Sequence, residues 1–415
     1  GLVRGPSIFN PVASMEKAMI VKRETLDRML DAGMISQEER DAAVQAPIEL
    51  HIGASAEAPG SGSYPTMWAG RELESLGGDL LQGNRSLSVA TNLDLDIQTY
   101  LERAVEAALV AVENPHEFPE AWLDKDATPE AAQAQKTAWS KLRRPLTLRR
   151  RGLDNNLAGL LQCCVLVVDS RRGCKGNVLA LVGGRSALDG VDRWTRKVQP
   201  GRAVAPLVFS CACLPGAEDM HISSKDAVYT GRQIGYGVVR DFFDSLELDV
   251  DLPDKAHADD LYAGNFRMQL ADLARLLFDM QNLGRGYSLS LTNTVWSRTN
   301  TPLYAYEPEK AQEYIRRESA QAVASIPPFI TQDDRSVVLN ETLPGNGGQF
   351  VMITRDKGVA VFVWMGFDKP AADVAGTREM QRLLQRAAAN LAREVFNQSR
   401  AVLRAKAKEP AQPAS

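Results

Sequence analysis

The chain has 415 residues, 44% of them hydrophobic, enough for more than one ordinary domain and a substantial core. Its 48 Lys and Arg stand against 52 Asp and Glu, a formal net charge of -4, so nothing predicts a general attraction to nucleic acid, and no basic helix interleaved with aromatics occurs. No run approaches the roughly eighteen apolar residues of a membrane span, and the opening residues have no signal-peptide pattern.

In chain order, Ser14 to about Ala46 reads as two helices broken at Gly33. Ser14 caps the first, and the capping box Ser36-Gln-Glu-Glu39 opens the second. The Gly, Ser, Pro and Ala stretch from Gly53 to Pro65 reads as linker, and a linker is assigned to residues 51–85. A strand from Ser86 enters a helix whose apolar positions Ile97, Leu101, Val105, Ala108 and Val112 follow a 3.6-residue repeat. Residues 115–151 read as an insertion, with a helix capped by Thr128 and begun at Pro129. Its basic run, Lys141, Arg143, Arg144 and Arg149 to Arg151, is either a solvated face or a contact for anionic headgroups or glycan phosphates. Ala158 to Asp169 and Asn177 to Val182 read as adjacent strands, followed by a buried helix after Pro206. Gly231 to Gly286 reads as mostly helical, with Val238, Phe242, Leu246, Leu270, Leu273, Leu276 and Leu277 as core candidates. Val351 to Thr354 and Val359 to Trp364 form a hairpin across Asp356-Lys-Gly358. A long helix from Thr377 to about Lys406 carries Leu384, Ala388, Leu391, Val395 and Val402 on one face, and residues 407–415 are a Pro- and Ala-rich tail expected to be disordered.

Four segments share an order with a known family. Gly1-Leu-Val-Arg4-Gly-Pro6-Ser-Ile-Phe-Asn10-Pro11 and the helix after Lys22 resemble the end of a peptidoglycan glycosyltransferase domain. Ser86-Leu-Ser-Val-Ala-Thr-Asn-Leu-Asp-Leu-Asp96-Ile97-Gln98 resembles a Thr-Thr-Leu-Asp-x-x-x-Gln signature. Gly176 to Arg185, ending in Gly183-Gly184, leads to Gln199-Pro200-Gly201-Arg202-Ala203-Val204-Ala205-Pro206, similar to Gln-Pro-Gly-Ser-x-x-Lys-Pro. Gly358 to Asp368 resembles a final sheet strand. Together they resemble the C-terminal part of a class A penicillin-binding protein, a bifunctional glycosyltransferase and transpeptidase. The resemblance implies an α+β fold, a mainly antiparallel sheet flanked by helices, with residues 1–50 as the glycosyltransferase end and 86–406 as the transpeptidase-like domain. It also implies a membrane anchor and glycosyltransferase active site upstream of Gly1, and an extracytoplasmic, periplasmic location.

The same resemblance places Arg202 where the nucleophilic serine belongs and Ala205 where the lysine base belongs. Acyl transfer of this kind needs a hydroxyl and a base one helical turn apart on one face. Arginine is permanently protonated and alanine accepts no proton. Removing one indispensable member of a serine hydrolase site costs about a million-fold in turnover, so the expected catalytic set is empty. Neither Ser-x-Asn nor Lys-Thr-Gly occurs, and the stretch between Gly216 and Gly235 is short for the helices that normally surround the former. By register from Gly358 to Asp368, Asn340-Glu341-Thr342 takes the Lys-Thr-Gly place, so Arg202, Ala205 and Asn340 are the relic-site positions. The one Ser-x-x-Lys, Ser14-Met-Glu-Lys17, lies outside this region. Arg202 is read either as an anion-binding group for a carboxylate such as a stem-peptide terminus, or as a solvated side chain filling a defunct cleft.

The leading expectation is a catalytically inactive transpeptidase-like module kept as scaffold or binding domain, with peptidoglycan, its stem peptides or cell-wall synthesis proteins as partners and no cofactor. The alternatives are an auxiliary region of a synthase still active as a glycosyltransferase, and an acyl-transferring enzyme with an unconventional nucleophile. The cysteines at 163, 164, 174, 211 and 213 have no metal spacing; Cys163-Cys164 and Cys211-x-Cys213, in apolar stretches, read as buried thiols, with a bridge between the strand pair and the following helix left open. His51, His116, His221 and His257 are scattered, and no metal site is expected.

Overall fold

The computed structural model describes residues 15–46, 63–76, 87–113, 128–130, 133, 161–185, 187, 191–212, 223–246, 248–307, 312–324, 336–344, 348–355, 358–368 and 378–407. The chain divides into two units, residues 1–61 and 62–415. In the first, α1 (Met15–Asp31) and α2 (Gln37–Gln45) form a hairpin. The expected capping box is present: Glu39 N–H donates to Ser36 Oγ (3.2 Å) and Ser36 N–H to Glu39 Oε2 (2.8 Å). Arg40 Nε donates to Asp27 at 2.8 Å, tying one helix to the other. Ser14, the segment Gly1 to Pro11, the basic run and the tail beyond 407 lie outside the described residues.

The second unit starts with a correction. The assigned linker, 51–85, contains the helix α3 (Tyr64–Ser75), with Tyr64 and Trp68 buried. Ser63 caps it, accepting from Thr66 N–H, and Pro65 lies in the first turn, where its missing N–H costs nothing. Ser and Pro, taken as linker composition, are here a helix start. One turn beyond Trp68, the Glu72 carboxylate accepts from Trp68 Nε1 (2.8 Å) and from the backbone N–H groups of Leu291 (2.8 Å) and Thr292 (2.7 Å). That bond set fixes α3 to the start of the distant strand Thr292–Ser297. Thr128 and helical residues 129–130 are described within the expected insertion; most of 115–151 is not.

Two antiparallel sheets of three and five strands follow, beside two short two-stranded pairs. The smaller joins β1 (Leu87–Thr91), β4 (Thr292–Ser297) and β5 (Pro302–Ala305) in the order β1-β4-β5. The larger contains β2 (Leu161–Asp169), β3 (Val178–Val182), β6 (Ser336–Thr342), β7 (Gln349–Arg355) and β8 (Val359–Phe367) in the order β6-β7-β8-β2-β3, every neighbouring pair antiparallel. All nine residues of β2 and of β8 are buried, as continuous apolar runs require of strands covered on both faces. The hairpin of 351–354 with 359–364 is present, Ile353 facing Val361, with residues 356–357 outside the description. Cys163 and Cys164 sit fully buried on β2, and burial pushes both thiols well above their ordinary pKa. They and Cys174 are free thiols, and Cys211 Sγ donates to Leu207 O at 3.3 Å; Cys213 is outside the described residues.

Helix α4 (Leu95–Glu113) buries Ile97, Leu101, Val105 and Val112, with Ala108 partly buried, as its periodicity predicts. It packs on β2 and β3 and against α11 (Arg378–Lys406), which buries Leu384, Ala388, Leu391 and Val395 over β7 and β8. The residues of the Thr-Thr-Leu-Asp-x-x-x-Gln resemblance have a structural task. Asp94 Oδ1 accepts from Asp96 N–H (3.2 Å) and Ile97 N–H (3.3 Å), capping α4, while Lys406 Nζ reaches the same oxygen at 2.8 Å. Gln98, buried, donates through Nε2 to Leu181 O (3.1 Å) and accepts from Leu181 N–H (2.9 Å). The amide takes the place of a neighbouring strand and closes the β3 edge of the sheet.

The remaining helices are α5 (Ala205–Cys211), α6 (Ser224–Ile234), α7 (Tyr236–Asp244), α8 (Ala258–Ala263), α9 (Leu270–Gln281) and α10 (Arg317–Ala324). Helix α6 occupies the stretch read as short between Gly216 and Gly235. Leu270, Leu273, Leu276 and Leu277 are buried, as is Leu246, and Phe242 packs partly buried. Val238 is a correction at 51% exposure: the break at Gly235 restarts the helical phase, so Val239 and Phe243 form the buried stripe of α7.

Candidate functional site

Pro200 turns the chain into a 3-10 helix, Gly201–Val204, which runs directly into α5. Gly201 has φ +52° and donates its N–H to Gly264 O at 3.0 Å. A Cβ on Gly201 would stand 2.6 Å from the Pro344 ring at Cδ, and one on Gly264 (φ +75°) would run into the Gly201 backbone, so the approach of these two residues requires glycine at both. Ala203, Val204 and Ala205 are completely buried, and Arg202 is the exposed residue of the turn. The site is therefore built tightly, with one side chain free to project.

That side chain meets Glu341. Arg202 Nη2 lies 2.6 Å from Glu341 Oε2, with the arginine side chain 51% exposed and the glutamate side chain 4% exposed. Burial raises the Glu341 carboxyl above its ordinary pKa, and the adjacent guanidinium pulls it only part of the way back.

Strand alternation decides which relic position shares this face. Glu341 is in register with Phe350, Phe350 with Trp364 and Trp364 with Cys164. Asn340 and Thr342 belong to the opposite face, where Thr342 Oγ1 donates to Gln349 Oε1 at 3.0 Å and Asn340 Oδ1 is buried without a hydrogen-bond partner. The structure thus brings Arg202 together with Glu341 and turns Asn340 away. Ala205 is buried at the start of α5 and offers no polar atom to the cleft. The signal available in the sequence was Glu341 itself, the one acid of β6, with a cation, Arg202, in the turn that resembles an acylation site.

The same face is positively charged further along. Arg193 donates from Nε and Nη2 to Asp368 (2.9 and 2.6 Å), and Arg196 donates to the same residue through Nη1 (2.9 Å) while its guanidinium lies 5.7 Å over the Trp364 ring. Gly183 and Gly184 lie tightly between Tyr64 of α3 and the Asp192-Arg193 turn: a Cβ at either would come 2.7 Å from the Tyr64 ring or hydroxyl and closer still to Asp192 Oδ1 or Arg193 Nη1. From Gln199 to Pro206 no residue has a hydroxyl or an amine, so the turn contains neither an attacking oxygen nor a base to activate one. Among the described residues no group of His, Cys, Asp and Glu has the arrangement to hold a metal, and no helix is long and apolar enough to cross a membrane.

No family model matches the chain, and no curated protein does. Solved structures do. The chain is similar over 100% of its length to penicillin-binding protein 1A from Haemophilus influenzae, covering 80% of that chain at 15% identity with a TM-score of 0.61. The likeness is one of fold. A peptidoglycan synthetase from Bifidobacterium adolescentis is similar over 80% of this chain and 64% of its own, at 11% identity with a TM-score of 0.47. An α+β fold of antiparallel sheets flanked by helices, like that of penicillin-binding proteins, is therefore what the described residues have.

Proposed function

We propose that this chain is the transpeptidase-like part of a peptidoglycan synthase, that it performs no acyl transfer, and that it serves as a scaffold or binding module. The observation that carries the reading is the Arg202–Glu341 pair. The turn that resembles an acylation site holds a cation where a nucleophile would stand, and the facing strand holds a carboxylate that fixes it. A guanidinium cannot attack a carbonyl, and a glutamate engaged in a buried pair is a poor general base. Support for the cell-wall assignment comes from the fold likeness to penicillin-binding protein 1A and from the order of the glycosyltransferase-like and transpeptidase-like segments. On this reading the chain works at the periplasmic face of the inner membrane, anchored by a preceding segment, with peptidoglycan, its stem peptides or other cell-wall synthesis proteins as partners.

The scaffold role has a direct test. Glycan polymerisation by the complete protein is compared with that of a form lacking residues 86–400. Loss of polymerisation on deletion is the expected result; undiminished polymerisation would overturn the role.

A further inference from the structure

A groove of about 490 Å³ opens between the start of α3, one side of α4 and the end of β3. It shares no residue with the Arg202 turn. Its aliphatic lining is Val105, Leu109, Val182 and Ala187, and its α4 wall presents Glu102 and Glu106, both exposed. Val110, at the same wall, is 42% exposed. Glu102 is not loose: Gln98 Nε2, the amide that also closes the β3 edge, donates to Glu102 Oε1 at 2.7 Å and fixes its carboxylate. Arg185 also lines the groove, its Nε donating to Leu161 O.

We infer that this groove binds an extended segment of a partner protein in which lysine or arginine alternates with aliphatic residues. Charge complementarity selects the cations: the α4 wall carries two exposed carboxylates, and the Nε of Arg185, the cation of the lining, is engaged by a backbone carbonyl. Spacing selects the extended form. Residues four apart on a helix are about 6 Å apart along its axis, which matches the roughly 6.6 Å between alternate residues of an extended chain. Basic side chains at alternate positions can each reach one carboxylate, while the residues between them pack on the aliphatic lining. The groove volume lies in the range of about 300–1,000 Å³ typical of specific pockets, enough for a few side chains. Strand addition to β3 is excluded as the mode, because Gln98 already occupies Leu181 N–H and O. Recognition therefore runs through side chains. The inference stands apart from the cell-wall reading and from the fate of the acylation turn.

The test uses the full chain and three fluorescein-labelled hexapeptides, Leu-Lys-Leu-Lys-Leu-Lys, Leu-Glu-Leu-Glu-Leu-Glu and Gly-Lys-Gly-Lys-Gly-Lys, followed by fluorescence anisotropy. Saturable binding of the first, at least tenfold tighter than of the other two, is expected. Glu102→Gln combined with Glu106→Gln weakens it at least tenfold, whereas Glu24→Gln with Glu38→Gln, an equal loss of charge on the helical hairpin, leaves it unchanged. Equal binding of the Leu-Lys and Gly-Lys peptides, or of the wild-type and Glu102/Glu106 variants, overturns the inference, as does an equal loss in the Glu24/Glu38 variant. All four positions are on the surface, so these exchanges do not threaten folding.

Discussion

The two edge strands of the large sheet are tied down in different ways. At β3 a neutral amide, Gln98, makes two hydrogen bonds to Leu181 and leaves no charge buried. At β6 the buried Glu341 is held by the half-exposed Arg202, across the turn that resembles an acylation site. A neutral closure loses only its hydrogen bonds when it is cut. An ionic closure cut on one side leaves a charge in a place that cannot solvate it. The turn that resembles an acylation site is held by Gly201 against Gly264, and its one exposed side chain makes an ion pair with the edge strand.

Breaking the ionic edge gives the largest expected effect. Arg202→Met costs about 3 kcal/mol in chemical denaturation, at the low end for a buried pair because water reaches the arginine. Arg202→Met with Glu341→Leu recovers most of that loss, since no buried charge remains. If the single and double variants are equally unstable, packing rather than charge holds this edge.

The ionic edge also has a pH signature. The folded state raises the Glu341 carboxyl above its ordinary value of 4.5, so its neutral form is the one the fold favours. Stability from this group is present below 4.5 and is lost as pH rises through the folded value. Removing Arg202 removes what lowers that value, so the Arg202→Met penalty shrinks as pH falls toward 4.5. A penalty independent of pH would rule out the charge argument.

The neutral edge gives the next effect. Gln98→Ala leaves Leu181 N–H and O without partners, at a cost of about 2 kcal/mol that stays flat across the same pH range. Glu72→Gln comes after it, at about 1 kcal/mol, because an amide N–H then faces one of the two backbone donors that the carboxylate accepted. Thermal or denaturant midpoints compared at two pH values separate the two edges.

Much of this frame was legible in the residues themselves. Continuous apolar runs identify β2 and β8, and the 3.6-residue spacing of Ile97, Leu101 and Val105 identifies the buried face of α4, because burial on that scale is written into residue type. The small sheet was not legible: β4 reads Thr292-Asn-Thr-Val-Trp-Ser297, a half-polar strand whose pairing with β1 joins residues some 200 positions apart in sequence. Helix α3 was hidden by Ser63 and Pro65, residues that serve linkers and helix starts alike. In the site, motif order located Arg202 and Ala205, but the choice between Asn340 and Glu341 turns on a single residue of strand phase, and a one-residue shift exchanges the faces.

Intact-mass spectrometry of the protein after incubation with a penicillin tests the central claim most directly. An unchanged mass is predicted, because Arg202 and Ala205 offer no oxygen to acylate and no base to activate one. A mass increased by one penicilloyl group, mapped to the turn of residues 199–206 or to the face bearing Glu341, would contradict it.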